Sequence, residues 1–377
     1  MPIVVIVVIV IIIVVIVVVV TIIMDFEFLK TQELAPGIGR EIEAFLDRQD
    51  TSHPYQFPDW TGGGPNDQRE RLHCAIVRER GEIRWFAHCG AFSPVGKWLP
   101  VHCLTIHRGP VCDDAELTVY GLGKLAEKSK ELGFASVTIA PEWVERPEWT
   151  VGNGLSREGW QPLPESRGSL RLDLRPASEE LLRSFRHDTK LHIRRSEREG
   201  VVIRPAQSEE EIQEFVRIYL DMARKKNFPG EERGRLSHSV RWVVKQKDRG
   251  ALLLAWLGTT PLGGVLVARA AKRSFGLFSA TVKADRVTAG HLLQWSAIRW
   301  GKEHGCEEYD FGGHREGVNT GPASFKRGFC QAAVQFAPSY FYPLNRRICS
   351  MLDLVARVRS RAAGSEKAQA GKQTEAA

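Results

Sequence analysis

The sequence predicts an α/β fold of two similar halves, each built on a mixed, mostly antiparallel sheet. An internal repeat carries this reading first: residues 124–141 read KLAEKSKELGFASVTIAP, and residues 296–313 read SAIRWGKEHGCEEYDFGG. In both, a helical stretch runs into Lys-Glu-x-Gly, at Lys130 to Gly133 and Lys302 to Gly305, and a short strand follows over 136–139 or 308–311. Gly133 and Gly305 stand where a helix end needs a left-handed residue, so each reads as a stop signal. The third observation is the strand-like runs upstream of each helix, over 83–89 and 101–106 in one half and 252–257, 264–269 and 275–280 in the other. Helical patterns over 38–47 and 209–226 open the two halves. Helix, antiparallel strands, then helix and strand is an α/β order with a mixed sheet. A chain of 377 residues holds two domains of roughly 150 residues. The expected division is 24–170 and 171–350, with the join near 165–178.

Composition narrows the class. The chain is 43% hydrophobic and 26% charged, which excludes a largely disordered or disulfide-scaffold protein. Lys and Arg total 52 against 45 Asp and Glu, so the net charge of +7 permits a polyanionic partner without requiring one. The seven cysteines show no CxxC pair and no metal-finger spacing, and read as reduced, buried thiols. His102/His107 and His187/His192 share no helix face, so no metal ligand set is expected. From Ile3 to Val20 every residue is Val or Ile. Residues 1–23 fit two readings: a membrane anchor, or a low-complexity extension upstream of a start at Met24. At the other end, residues 351–377 read as a basic and polar tail, largely disordered.

Two stretches carry chemistry. Tyr309-Asp310-Phe311-Gly312-Gly313 ends a strand in two glycines, whose backbone can approach a ligand closely and leave N–H groups free to donate. Asp310 could take a proton, orient an amine, or bond the turn N–H groups. Downstream, Phe325-Lys326-Arg327-Gly328-Phe329 sets Lys326 between aromatic rings. There a partly desolvated ammonium stabilises developing negative charge, or else a surface lysine covers an apolar patch. The second stretch reads as one helix from Ser178 to about Val201. At 100° per residue, Arg183, Arg186, Lys190, Arg194 and Arg198 fall within about 120° of one another, a basic stripe suited to phosphates or to solvent.

These residues resemble the FemAB family, the peptidoglycan bridge-forming aminoacyltransferases, over most of 100–330. Arg108-Gly109-Pro110-Val111 is similar to the family's Arg-Gly-Pro stretch. The segment Ser169 to Leu174, followed by Thr189-Lys190, Ile193-Arg194 and Gly200-Val201, is similar to the one opening its second half. YDFGG and FKRGF are the most specific matches and occur in the family's order. The sequence departs from the family in having no coiled-coil arm, in Cys330 where a glycine usually follows, and in weak similarity over 24–100. The resemblance implies two tandem GNAT-like acyltransferase domains. It also implies transfer of an amino acid from aminoacyl-tRNA to an amine of a nucleotide- or lipid-linked peptidoglycan precursor. The family's catalytic lysine falls on Lys326. Asp310, the tRNA ribose hydroxyl and a phosphate are alternative bases, with Lys190, Arg194, Tyr309, Gly312, Gly313 and Phe325 as candidate binding residues. The donor ester is already activated, so neither cofactor nor metal is expected. The expected place is the cytoplasm, at the inner face of the membrane if residues 1–23 anchor the chain.

Two other classes of function compete. An acyl-CoA-dependent N-acyltransferase would carry a Gly-rich pyrophosphate turn before a helix. Thr118 to Gly123 matches it only in part, and Arg286 to Gly290 has the wrong spacing. A membrane-attached binding protein without chemistry would keep the apolar run and the basic stripe but has no use for Lys326. Gly121-Leu122-Gly123-Lys124-Leu125-Ala126 also fits a dinucleotide turn literally, yet the repeat sets both glycines inside a helix.

Overall fold

The computed structural model describes residues 24–60, 72–95, 101–144, 151–228, 231–283, 287–314 and 321–357. The apolar run over 1–23, the glycine turn at 62–65, the Pro229-Gly230 pair and the tail from Gly364 lie outside the described residues.

The first half runs β1 (Met24–Lys30), α1 (Pro36–Leu46), β2 (Leu72–Glu79), β3 (Glu82–Phe92), β4 (Cys103–His107), α2 (Ala115–Glu131), β5 (Ser136–Ala140), α3 (Val151–Arg157) and β6 (Gln161–Pro162). The second runs β7 (Arg167–Asp173), α4 (Ser178–Ser184), α5 (His187–Arg198), β8 (Val201–Pro205), α6 (Glu209–Lys225) and α7 (Arg233–Lys245). It continues through β9 (Gly250–Leu257), β10 (Thr260–Ala270), β11 (Arg273–Thr281), α8 (Gly290–Glu303), β12 (Glu308–Asp310), α9 (Gly321–Arg327) and β13 (Ala333–Phe336). The chain then returns to the first half with β14 (Tyr340–Pro343) and a helix α10 over 346–357.

Among the described residues each half holds a seven-stranded sheet, ordered β1-β2-β3-β4-β5-β14-β6 and β13-β7-β12-β11-β10-β9-β8. Within each, one pair is parallel: β4 with β5, in register Leu104↔Val137, and β11 with β12, in register Ser274↔Tyr309. The other pairings are antiparallel. The repeat explains this symmetry, because a strand that follows a crossover helix lies parallel to the strand before that helix. Both expected stop signals are in place: Gly133 and Gly305 take φ of +78° and +74° beyond α2 and α8.

Two divisions differ from those expected. The second sheet already contains Arg167, and the first recovers β14, whose Tyr340 pairs with both Ile139 and Pro162. The chain therefore crosses between the sheets twice, and giving all of 171–350 to the second half would take β14 from the first sheet. Residues 351–357, expected in a disordered tail, continue α10; 358–377 lie outside the described residues. The helix expected to run unbroken from Ser178 is interrupted at Phe185 and Arg186, whose ψ values of 154° and 152° are extended. Phe185 is the reason. The break turns its ring into the core, 5.4 Å from Trp295 and 5.1 Å from Phe329.

Among the described residues three apolar cores hold the layers. One lies under α2 in the first half, around Trp85, Leu122 and Ile139. Another lies under α8 in the second, around Leu293, Ile298 and Tyr309. The third joins the halves, with Ile42, Phe57 and Trp60 from one and Phe215, Val240 and Trp242 from the other. Trp60 meets Trp242 edge-on at 4.9 Å. Burying side chains of this size contributes on the order of 2 kcal/mol each, so this shared core holds the halves together. All seven cysteines are buried and unpaired. No helix among the described residues is long and apolar enough to cross a membrane.

Gly121 and Gly123 sit in the middle of α2, so the literal dinucleotide motif forms no turn. A Cβ on Gly121 would lie 2.7 Å from the Trp85 ring, whereas one on Gly123 meets nothing within 4 Å. Gly121→Ala is expected to lower stability by about 1–3 kcal/mol through overpacking. Gly123→Ala is expected to raise it by about 0.5–1 kcal/mol through helix propensity. Urea denaturation of the two variants beside wild type checks the pair.

Candidate active site

The site lies where β12 ends between the two halves. Side chains alternate along a strand, so Tyr309 and Asp310 face opposite ways. Tyr309 enters the second-half core, fully buried, and its hydroxyl accepts from Gln294 Nε2 at 2.6 Å. Asp310 faces the junction. Its Oδ1 accepts from the Ser169 hydroxyl and from Gly312 N at 2.8 Å, and its Oδ2 accepts from Arg171 Nε at 3.0 Å. The bond to Gly312 is the turn bond that an aspartate two residues before a loop N–H supplies. It holds Gly312 at φ +64°, left-handed backbone that glycine adopts without strain.

That turn sets the Gly312 and Gly313 carbonyls toward α9, where Lys326 Nζ donates to both, at 3.0 Å to Gly313. Burial pushes the Lys326 ammonium down to about 8; Asp310 opposes that shift and Arg108 adds to it. An ammonium that titrates there is charged at neutral pH, and partial desolvation strengthens its action on nearby charge.

Behind the turn is a buried ion network that spans both halves. Glu142, just past β5, has a side chain 1% exposed and faces three guanidinium groups. Arg108 Nη1 bonds its Oε1, while Arg171 Nη2 reaches Oε2 at 3.3 Å and Arg273 Nη1 lies 3.6 Å from it. Arg171 bridges Glu142 to Asp310. Arg108 holds φ +59°, an uncommon conformation for a side-chain-bearing residue, and its N–H is fixed by the Ala140 carbonyl at 2.8 Å. His53 lies in the same field. Burial first, then Arg108, Arg273 and Arg171, hold its imidazole well below the ordinary histidine range, so it stays neutral.

A cavity of about 390 Å³ opens beside Gly313. Arg108, Arg167, Ser166, His314 and Phe336 contribute to its wall, together with Pro322 and Ala323 of α9. Lys326 and the cavity thus share Gly313 and one helix.

The candidate residues separate accordingly. Lys326, Asp310, Gly312 and Gly313 form one constellation. Phe325 stands next to it, 4.8 Å from the His291 ring and 5.4 Å from Phe329. Tyr309 is a core residue. The basic stripe divides at Phe185, leaving Lys190, Arg194 and Arg198 along α5. α5 abuts the end of α9, where Arg186 N–H donates to the Gly328 carbonyl at 2.9 Å, and the start of α8, where His192 stacks on His291 at 4.6 Å. Lys190 Nζ donates to the Arg183 carbonyl, and Arg194 is exposed. The motifs give Arg167, Ser169 and Arg171 no site role. Arg108 was visible in the Arg-Gly-Pro stretch, but nothing local marked its partner. Among the described residues no cluster suits a metal ion.

Residues 183–327 match the acetyltransferase (GNAT) domain family. The chain carries an acyltransferase domain. The acyltransferase is similar in structure to FemX, with a TM-score of 0.71 and 15% identity over 86% of this chain and 99% of that one. It is also similar to L-PGS from Bacillus licheniformis, with a TM-score of 0.54 and 13% identity over 85% of this chain and 96% of that one. A tandem GNAT protein from the clavulanic acid biosynthesis pathway aligns with a TM-score of 0.52 and 10% identity over 85% and 99% of the two chains. No curated protein matches it significantly in sequence. The tandem GNAT-like fold that the FemAB resemblance implied is the fold observed, and FemX shares it.

Removing the Asp310 carboxylate would leave Arg171 short of one buried counter-charge and Gly312 N unbonded. Asp310→Ala is expected to destabilise the protein by about 3–5 kcal/mol, measured by chemical denaturation.

Proposed function

We propose that the acyltransferase moves an amino acid from aminoacyl-tRNA to an amine of a peptidoglycan precursor peptide. The observation that carries this reading is the Lys326 ammonium, clamped on the Gly312 and Gly313 carbonyls at the position the FKRGF motif gives the family's catalytic lysine.

The chemistry is aminolysis of an ester. The neutral acceptor amine attacks the ester carbonyl carbon, a C–N bond forms, and the carbonyl oxygen becomes an oxyanion. Lys326 is the charged donor near that oxyanion, and one such donor contributes on the order of 3 kcal/mol to the barrier. Collapse breaks the C–O bond to the tRNA ribose. The proton lost by the amine ends on the departing ribose oxygen. Asp310 is a positioning residue here rather than the base, because Ser169, Arg171 and Gly312 already occupy its two oxygens. Phe325 flanks the lysine and suits the donor side chain or terminal base, and the exposed cations of α5 suit tRNA or precursor phosphates. The ester arrives activated, so the step calls for no cofactor. A charged-tRNA donor puts the reaction in the cytoplasm, with a lipid-linked acceptor bringing it to the inner membrane face.

The test supplies purified protein with a nucleotide-linked muropeptide and either charged tRNAs or acyl-CoA, and reads mass gain on the acceptor. Gain of an aminoacyl mass with charged tRNA alone is the expected result; gain with acyl-CoA alone overturns the donor. Lys326→Ala is expected to lower turnover by about 10²–10³-fold while donor binding, read by filter retention, persists.

A further inference from the structure

The cavity beside Gly313 carries a charge pattern that the acyl-transfer step leaves unused. Arg167 Nη1 donates to the Pro141 carbonyl at 2.7 Å, and Nη2 donates to the Ala140 carbonyl at 3.3 Å. Those bonds use two of the five N–H groups of a guanidinium and neutralise none of its charge. No carboxylate of the described residues stands within ion-pairing distance of it. Two carboxylates act on Arg167 at longer range, Glu142 first and then Glu165, which is on the same wall and is held by the Ser339 hydroxyl at 2.5 Å. Arg108 adds a second guanidinium to the cavity, with its own counter-charge Glu142 buried behind it. Burial, then Arg108, push Arg167 below the ordinary arginine value.

The remaining wall suits an anion as well. Ser166 Oγ accepts from Gln335 Nε2 at 3.2 Å, which leaves its own proton to donate into the cavity. The Phe336 ring lies 5.9 Å from the Arg167 guanidinium and braces it. A half-buried cation without a directly paired carboxylate costs free energy that an incoming anion recovers. A space of about 390 Å³ exceeds a single ion and suits part of a larger molecule.

We propose that this cavity is an oxyanion pocket for the acceptor. Arg167, with Arg108 and the Ser166 hydroxyl beside it, receives a carboxylate of the acceptor peptide while the acceptor amine reaches the ester at Lys326. A carboxylate suits the planar fork bidentately; a phosphate shares the chemistry. The identity of the occupant rests on the acyl-transfer reading; the affinity of the pocket for an oxyanion does not.

The test is calorimetric titration of the full chain with N-acetyl-dialanine, its C-terminal amide and inorganic phosphate, on wild type, Arg167→Gln and Arg167→Lys. The free acid is expected to bind wild type. Amidation of the probe and Arg167→Gln are each expected to weaken it by at least about tenfold. Arg167→Lys should fall between, since it keeps the charge and loses the fork. Melting temperatures of both variants show that they fold. Phosphate binding wild type more tightly than the free acid, with the same loss in Arg167→Gln, supports the oxyanion pocket and assigns it to phosphate. Binding of neither anion to wild type, equal binding of acid and amide, or wild-type binding by Arg167→Gln overturns the proposal. No turnover is read, so a failed transfer assay and a failed pocket remain distinct results.

Discussion

The carboxylate of Glu142, buried among Arg108, Arg171 and Arg273, is the interaction on which the rest of the site depends. A buried carboxylate facing three guanidinium groups is a poor source of net stability, since desolvation offsets most of the Coulomb gain. Its consequence is geometric. Glu142 and Arg108 belong to the first half, Arg171 and Asp310 to the second, and no rotation of one half against the other preserves all of these bonds. The apolar junction of Trp60 and Trp242 supplies the adhesion, and the ion network supplies the register.

From that register the site follows in steps. Arg171 and Ser169 on β7 fix Asp310; Asp310 fixes the left-handed turn at Gly312; the turn presents two carbonyls to Lys326. Each step is short, and each residue is constrained by the one before. A charged donor held this way needs little reorganisation when negative charge develops nearby, which is the condition for efficient electrostatic stabilisation. The cavity beside Gly313 shares this scaffold, since Arg108 belongs to both the network and the cavity wall.

The parts legible in the sequence are those written locally. Lys-Glu-x-Gly marked both helix ends, and YDFGG with FKRGF marked both halves of the lysine clamp, because each is a run of adjacent residues. The network was not legible, since residues 108, 142, 171, 273 and 310 meet only through strand pairing. The break at Phe185 was hidden because apolar and basic periodicity run through it without a glycine or proline. Tyr340 to Pro343 carries no signal of which sheet it joins; the crossing through Phe336 and Ser339 decides that. Tyr309 looked like a ligand contact by proximity, but strand alternation turns it into the core.

The most direct measurement is NMR titration of the Lys326 side chain in protein labelled at lysine Cε, assigned by comparison with Lys326→Gln. If burial against the Gly312 and Gly313 carbonyls sets this group as described, its midpoint lies near 8. A midpoint at the ordinary lysine value of 10.5 would mean a solvated side chain and would contradict the account.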